Sequence, residues 1–420
     1  MNKVYEIKGK SKINGTINMQ GSKNSSLAII VASILCKDVV MLKNIPKIQD
    51  VYELIEILKK INVKVSFIDN SLLIDSTNIK YTSLLFKQII KFRASYYFIG
   101  AFLSLFKKVE IYMPGGCKIG NRPMDQHIKA FNELNVNINI DNNKIIASTT
   151  SLIGNEIVFD VVSVGATVNA ILASVFANNS TILKNVACEP EISDLIEFLN
   201  KMGAKIIGKG TSVLYIEGVN KLNGITYEVM PDRIVTGTYL IYGALLAKKL
   251  TIKNINSKDN YSLINTLINL GTQMDIKEHE ITIYGLKEFE KANIKTDVFP
   301  SFPSDLQQIM TTFLFMGKQI SLVEETLFEN RFSFLKQIKK MGGKFFIYDN
   351  KVLIIPSLLK NSIVSCEDLR GGAALLLACM ASDGTSILKN VEYIERGYED
   401  IVNVLKSINV DIKETMMYEA

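Results

Sequence analysis

The chain repeats one structural unit six times, and this constrains its fold more than any single motif. The segments Val39 to Val65, Val109 to Ile138, Ser180 to Ile206, Leu250 to Ile276, Gln319 to Phe346 and Thr385 to Ile412 share a pattern. Each reads as an apolar strand, a polar loop, an amphipathic helix, a turn and a second strand. The turn is marked by Asn62, Asn135, Gly203, Gly271, Gly342 and Asn409, and successive marks lie 67 to 73 residues apart. Gly and Asn tolerate the left-handed backbone that closes a helix, so six helix ends of one kind are predicted. A further helix precedes each segment: Leu27 to Leu35, Ala94 to Phe106, Ala166 to Phe176, Tyr239 to Ala247, Leu306 to Phe315 and Ala373 to Met380. These helices are apolar on nearly every face, and a helix without a polar face must be buried. Each unit therefore holds one inner helix, one outer amphipathic helix and strands between them.

Units of roughly 70 residues are too small to close a core each, so they must associate. Two groups of three are expected, giving an α/β fold of two domains. The division is placed near Tyr227 to Pro231. The first domain spans 21–229, and the second spans 1–20 plus 230–420. The second is discontinuous because the leading strands from Val4 to Met19 have no unit of their own and pair with the last group.

Composition narrows the function classes. Apolar content of 48% and charged content of 21% are those of a soluble globular protein. The net charge of +6 comes from lysines spread along the chain without a basic block. That suits an anionic small molecule at least as well as nucleic acid, whose binders concentrate charge on one face. No apolar run reaches membrane length, and the first residues lack the apolar stretch of a signal peptide. Five cysteines without a CxxC pair point to a reduced, cytoplasmic protein. Four of them, Cys36, Cys188, Cys366 and Cys379, read as core. The two histidines, His127 and His279, are too few and too far apart for a His-rich metal site.

Polar chemistry collects at the inner-helix starts. Gly21-Ser22-Lys23-Asn24, Arg93, Ser163-Val164-Gly165, Asp232-Arg233, Pro303-Ser304-Asp305 and Asp368-Leu369-Arg370 stand there. Buried helix starts present unpaired N–H groups and partial positive charge, which makes them anion sites. Ordinary N-capping by Ser, Asn and Asp accounts for the same residue types. Asp305 divides in the same way: on spacing alone it reads as a cap before it reads as a base. Arg331 and Arg396, in polar loops, read as surface ion pairs. Glu189-Pro190-Glu191 reads as helix initiation. The loop from Pro114 to Pro123 is shaped by glycines and prolines and carries Cys117 between Lys118 and Arg122. Positive charge near a thiol favours the thiolate, although an incidental surface cysteine fits the composition equally well.

The motifs in their order resemble the UDP-N-acetylglucosamine 1-carboxyvinyltransferase family of enolpyruvyl transferases. The resemblance rests on Gly21-Ser22-Lys23-Asn24, Phe92-Arg93-Ala94-Ser95, Pro114-Gly115-Gly116-Cys117 with Arg122-Pro123, and Ser163-Val164-Gly165-Ala166-Thr167. It continues through Pro231-Asp232-Arg233, Phe302-Pro303-Ser304-Asp305, Phe328-Glu329-Asn330-Arg331, Asp368-Leu369-Arg370 and Arg396-Gly397-Tyr398-Glu399. It implies a two-domain inside-out α/β barrel with pseudo-threefold domains, inner helices wrapped by sheets, and substrates bound between the domains. The implied reaction moves the enolpyruvyl group of phosphoenolpyruvate to the 3-hydroxyl of UDP-N-acetylglucosamine at the start of peptidoglycan synthesis. No metal or organic cofactor is implied.

The resemblance also assigns residues. Cys117 matches the proton donor and the site of a covalent phosphoenolpyruvate adduct, and Asp305 matches the base. Lys23, Asn24, Arg122, Arg331, Arg370 and Arg396 match positions around phosphoenolpyruvate, with Lys23 also in a catalytic position. Arg93, Arg122, Pro123, Met124, Asp125, Gln126, Val161, Val162, Ser163, Val164, Asp305 and Leu327 match positions around the sugar nucleotide. Ala28, Val161 and Val235 depart from the family's usual residues, and the change at Val161 removes a basic group that some members direct to the nucleotide phosphates. Two rivals stand beside this reading: a shikimate-pathway enolpyruvyl transferase, and a sugar-nucleotide-binding protein without catalysis. The oligomeric state is not legible in the sequence.

Overall fold

In the computed structural model of the chain, the described residues are 2–91, 93–113, 115, 120 and 123–417. All six turn marks carry positive φ: Asn62 68°, Asn135 65°, Gly203 110°, Gly271 97°, Gly342 89° and Asn409 70°. In each case the N–H after the mark returns to a carbonyl five residues back, from Val63 to Leu58, Val136 to Phe131, Ala204 to Leu199, Thr272 to Leu267, Gly343 to Ile338 and Val410 to Leu405. This bond satisfies a carbonyl that the helix end would otherwise leave open, and it turns the chain directly into the next strand.

The predicted inner helices are α1 (Lys23–Ala32), α2 (Tyr97–Phe106), α3 (Val164–Ser174), α4 (Arg233–Leu246), α5 (Ser304–Leu314) and α6 (Leu369–Ala381). α3 is buried from Gly165 to Ser174 and α6 from Leu369 to Met380. Each fully buried Leu or Ile in these helices contributes about 1.5–3 kcal/mol relative to exposure. The residues divide into two compact units, one from 2–20 with 231–417 and one from within 21–230. In the 21–230 unit, α2 packs on both α1 and α3. In the other, α4, α5 and α6 pack on one another. Each unit has its own apolar core.

One sheet belongs to each repeat. In five repeats the two strands of the segment flank the strand that follows them, as Ser71–Asp75 lies between Val39–Lys43 and Lys64–Ile68. Among the described residues the sixth repeat has no following strand. Its place is taken by β1 (Asn2–Lys8), which lies antiparallel between Thr385–Lys389 and Ile412–Met417, with Val4 opposite Lys389 and Thr415. β2 (Ile13–Asn18) runs parallel to Ala247–Lys253 in the fourth sheet. The three sheets of the 21–230 unit are complete within it, and Thr226–Glu228 closes onto Val39–Lys43.

Two details differ from expectation. The sixth outer helix is split into Glu392–Glu395 and Ile401–Ser407, with Arg396 at the break. Cys36, Cys366 and Cys379 are buried as predicted, but Cys188 is only half-buried, because it lies in the loop before the helix Pro190–Met202 rather than inside an element.

Candidate active site

In the unit holding α4 to α6, the helix starts bring three of the expected residues together. Pro303 holds the N-cap position of α5, which places Asp305 inside the first turn, past the cap. Its carboxylate is gripped at both oxygens: Arg331 Nη2 donates to Oδ1 at 2.6 Å and Arg370 Nη2 to Oδ2 at 3.2 Å. The two guanidinium side chains are 3% and 4% exposed, while the Asp305 side chain keeps 31% of its surface. Both sequence readings are thereby corrected. Asp305 is not a cap, and Arg331 is not a surface ion pair; a helix-start carboxylate and a loop arginine are joined by folding across 26 residues.

The arginines are themselves held. Asp368 caps α6 by accepting from Arg370 N and Gly371 N at 3.0 and 2.9 Å. Its other oxygen accepts from Gln308 Nε2 at 3.2 Å, and Gln308 Oε1 accepts from Arg331 Nη1 at 3.4 Å. Arg370 Nη1 donates to the Tyr398 hydroxyl at 3.3 Å, which is 2.8 Å from Thr238 Oγ1. Burial alone would lower the Arg370 pKa. The charge of Asp305, with Tyr398 and Asp232, outweighs burial and raises it, so this guanidinium stays charged. The loop carrying Leu327 is organised by Glu325, a buried carboxylate that accepts from Ser304 Oγ at 2.8 Å and from Leu327 N at 2.9 Å.

In the 21–230 unit, Lys23 opens α1, capped by Ser22, and its Nζ lies 3.3 Å from Asp50 Oδ2. Both side chains are largely buried, so the lysine is fixed at the helix start rather than waving in solvent. Arg93 lies against the Tyr96 ring with 5.4 Å between guanidinium carbon and centroid, and His127 packs edge-on to the same ring at 4.8 Å. Burial lowers the Arg93 pKa, and the neighbouring Tyr96 opposes that shift. Burial, with Arg93 adding to it and Asp125 opposing, pushes His127 down to about 3. Asn169 Oδ1 accepts from Gly100 N, so its Nδ2 faces His127 Nδ1 at 3.1 Å. Nδ1 is therefore the acceptor, and the neutral ring carries its proton on Nε2.

Gln126 ties two expected groups together. Its Nε2 donates to Asp125 Oδ2 at 2.9 Å and to Asp160 Oδ2 at 3.2 Å, and its Oε1 accepts from Asp160 N at 2.9 Å. The run Pro123 to Gln126 is thus fixed to the residue before Val161 to Val164, where Ser163 caps α3. Val161 is 59% exposed. Cys117 and Arg122 lie outside the described residues.

Ser22, Ser163, Asp232 and Asp368 each accept from one or two N–H groups of the helix they precede, so capping accounts for part of the pattern at the helix starts. Asp50, Glu325 and Gln308 escaped the sequence reading.

This architecture agrees with what sequence and fold comparisons find. The chain belongs to the EPSP synthase (3-phosphoshikimate 1-carboxyvinyltransferase) family, whose family model matches residues 7–405. Within that family it is 41% identical over 411 residues to UDP-N-acetylglucosamine 1-carboxyvinyltransferase of Clostridium botulinum, covering 97% of this chain and 98% of the relative. It is 40% identical over 416 residues to UDP-N-acetylglucosamine 1-carboxyvinyltransferase 2 of Staphylococcus aureus, with the same coverage. Among solved structures, the enolpyruvyl transferase NikO of Streptomyces tendae superposes with a TM-score of 0.89 at 21% identity, covering 99% of both chains. An EPSP synthase of Acinetobacter baumannii gives 0.75 at 13% identity, covering 99% of this chain and 100% of that one. The structural likenesses establish the two-domain α/β fold.

Proposed function

We propose that this protein transfers the enolpyruvyl group of phosphoenolpyruvate to the 3-hydroxyl of UDP-N-acetylglucosamine and releases phosphate, in the cytoplasm. The observation that carries the reading is Asp305, a carboxylate fixed between two buried guanidinium groups at the start of an apolar helix. A base and the cations for an anionic substrate stand in one cluster there.

The chemistry follows from the charges. Phosphoenolpyruvate brings a phosphate and a carboxylate, and Lys23, Arg122, Arg331, Arg370 and Arg396 supply the opposing charge, with Asn24 adjacent. An anion that competes for Arg331 and Arg370 loosens their hold on Asp305. The carboxylate then accepts the proton of the sugar hydroxyl as its oxygen bonds to C2 of phosphoenolpyruvate. Cys117 delivers a proton to C3 in the same addition; in a separate addition without the sugar, its thiol adds across the double bond, sulfur to C2 and hydrogen to C3, to give the covalent adduct. Loss of a C3 proton and departure of phosphate from C2 restore the double bond in the product. Arg93, Pro123 to Gln126, Val161 to Val164 and Leu327 surround the sugar nucleotide.

The test is phosphate release from phosphoenolpyruvate with either acceptor. Release with UDP-N-acetylglucosamine and none with shikimate 3-phosphate is the expected result. Release only with the shikimate compound would transfer the assignment to the other branch of the family, and binding without release would mark a non-catalytic protein. Intact-mass analysis should show a phosphoenolpyruvate adduct on the parent and none on Cys117→Ser.

A further inference from the structure

The loop that carries Arg396 is held from one side by an amide that no motif singled out. Gln20 Nε2 donates to Gly397 O at 3.1 Å, and Gln20 Oε1 accepts from Glu399 N at 2.8 Å. One side chain thus satisfies a carbonyl and an N–H that flank Tyr398, as a neighbouring strand would. Gln20 also lies next to α4, because Asp232 N donates to the Gln20 carbonyl at 2.9 Å. The loop's other anchors are separate: Lys3 Nζ and Tyr5 OH reach Glu395 Oε1 at 2.7 and 2.9 Å. Tyr398, 2% exposed, faces Arg370 and Thr238.

We infer that Gln20 is a positioning residue for Arg396 and, through Tyr398, for Arg370. The inference rests on the proposed function, in which both arginines meet phosphoenolpyruvate. The split outer helix explains why such a device is required. Arg396 stands at the break between Glu392–Glu395 and Ile401–Ser407, and Asp400 just beyond has positive φ; Gly397 N and Tyr398 N still bond back to Ile394 O, so the helix holds the loop only as far as Tyr398. A flexible arginine side chain on a loose backbone would lose much of its binding energy to ordering. The Gln20 amide adds a bond to Gly397 O and one to Glu399 N, on either side of the last helical N–H at Tyr398. It is half-buried and its amide is spent on the loop backbone, so its effect passes through the loop.

The test compares the parent with Gln20→Ala and Gln20→Met. The methionine keeps the length of the side chain and removes only the amide. Both variants should raise the KM for phosphoenolpyruvate on the order of tenfold, as expected for the loss of two hydrogen bonds of ordinary net strength. The KM for UDP-N-acetylglucosamine should stay within about twofold, because the loop serves the other substrate. Hydrogen exchange at the Glu399 amide should quicken in both variants while α6 stays protected. An unchanged KM for phosphoenolpyruvate in Gln20→Met overturns the inference and leaves the proposed function standing. Equal losses for both substrates with faster exchange throughout the unit reduce Gln20 to a stabilising residue and also overturn it. A parent that releases no phosphate overturns the proposed function, and the inference with it.

Discussion

Asp305 shows how much the assignment of a single residue depends on its partners. Replacing it with Asn keeps the volume but removes the charge that faces Arg331 and Arg370. Phosphate release by Asp305→Asn should fall by at least about 100-fold, the usual worth of a positioned base. The variant should also melt lower, because two buried guanidinium groups lose their shared counter-charge. A variant that turns over at the parent rate would remove Asp305 from the chemistry. His127 supports a different expectation. The folded protein keeps it neutral down to about 3, whereas the unfolded chain takes up a proton near the ordinary value of 6.5. The stability this lends is complete above that ordinary value and is lost as pH falls from there towards about 3, at up to about 1.4 kcal/mol per pH unit. His127→Gln preserves an acceptor for Asn169 and cannot titrate. Its urea midpoint should therefore drop less than the parent's between about pH 7 and about pH 5. Equal drops would show that another group carries the acid sensitivity.

The helix-ending turns test the reading of the repeats at the level of the element. Gly271 has φ of 97°, and a Cβ there would meet only Leu286 Cδ2 at 3.6 Å, an ordinary contact. The cost of Gly271→Ala is thus conformational, about 1–2 kcal/mol, and a denaturant titration should register it. Gly271→Asn should recover most of the loss, since Asn occupies the same position at Asn62, Asn135 and Asn409. These turns and the all-apolar helices were legible in the sequence because local backbone sterics and hydrophobic periodicity determine them within a few residues. Family likeness made Asp305, Arg331 and Arg370 legible as site positions, but their mutual pairing was not, since it joins residues 26 and 65 apart. Asp50, facing Lys23 from 27 residues away, and Gln20, bonded to a loop 377 residues on, left no local signal at all. A polar side chain whose purpose is set by a distant partner looks, in sequence, like any other polar side chain.

At the scale of the whole molecule, the two units differ in self-sufficiency. All strands of the three sheets in the 21–230 unit come from that segment, so it should fold when expressed alone, with cooperative unfolding as the measurement. The segment 231–420 alone lacks β1 and β2, leaving open edges in two of its sheets, and should aggregate unless residues 1–20 are supplied or fused to it. A soluble, cooperatively folded 231–420 fragment would contradict this. The same topology has a consequence in time. On the ribosome β1 emerges long before its neighbours Thr385–Lys389 and Ile412–Met417. Tyr5 and Ile7, both buried in the finished protein, must wait in the nascent chain until those two strands have been synthesised. The interior of the 21–230 unit has by then had time to mature, and the arrival of Ile412–Met417 is the event that lets β1 find its place.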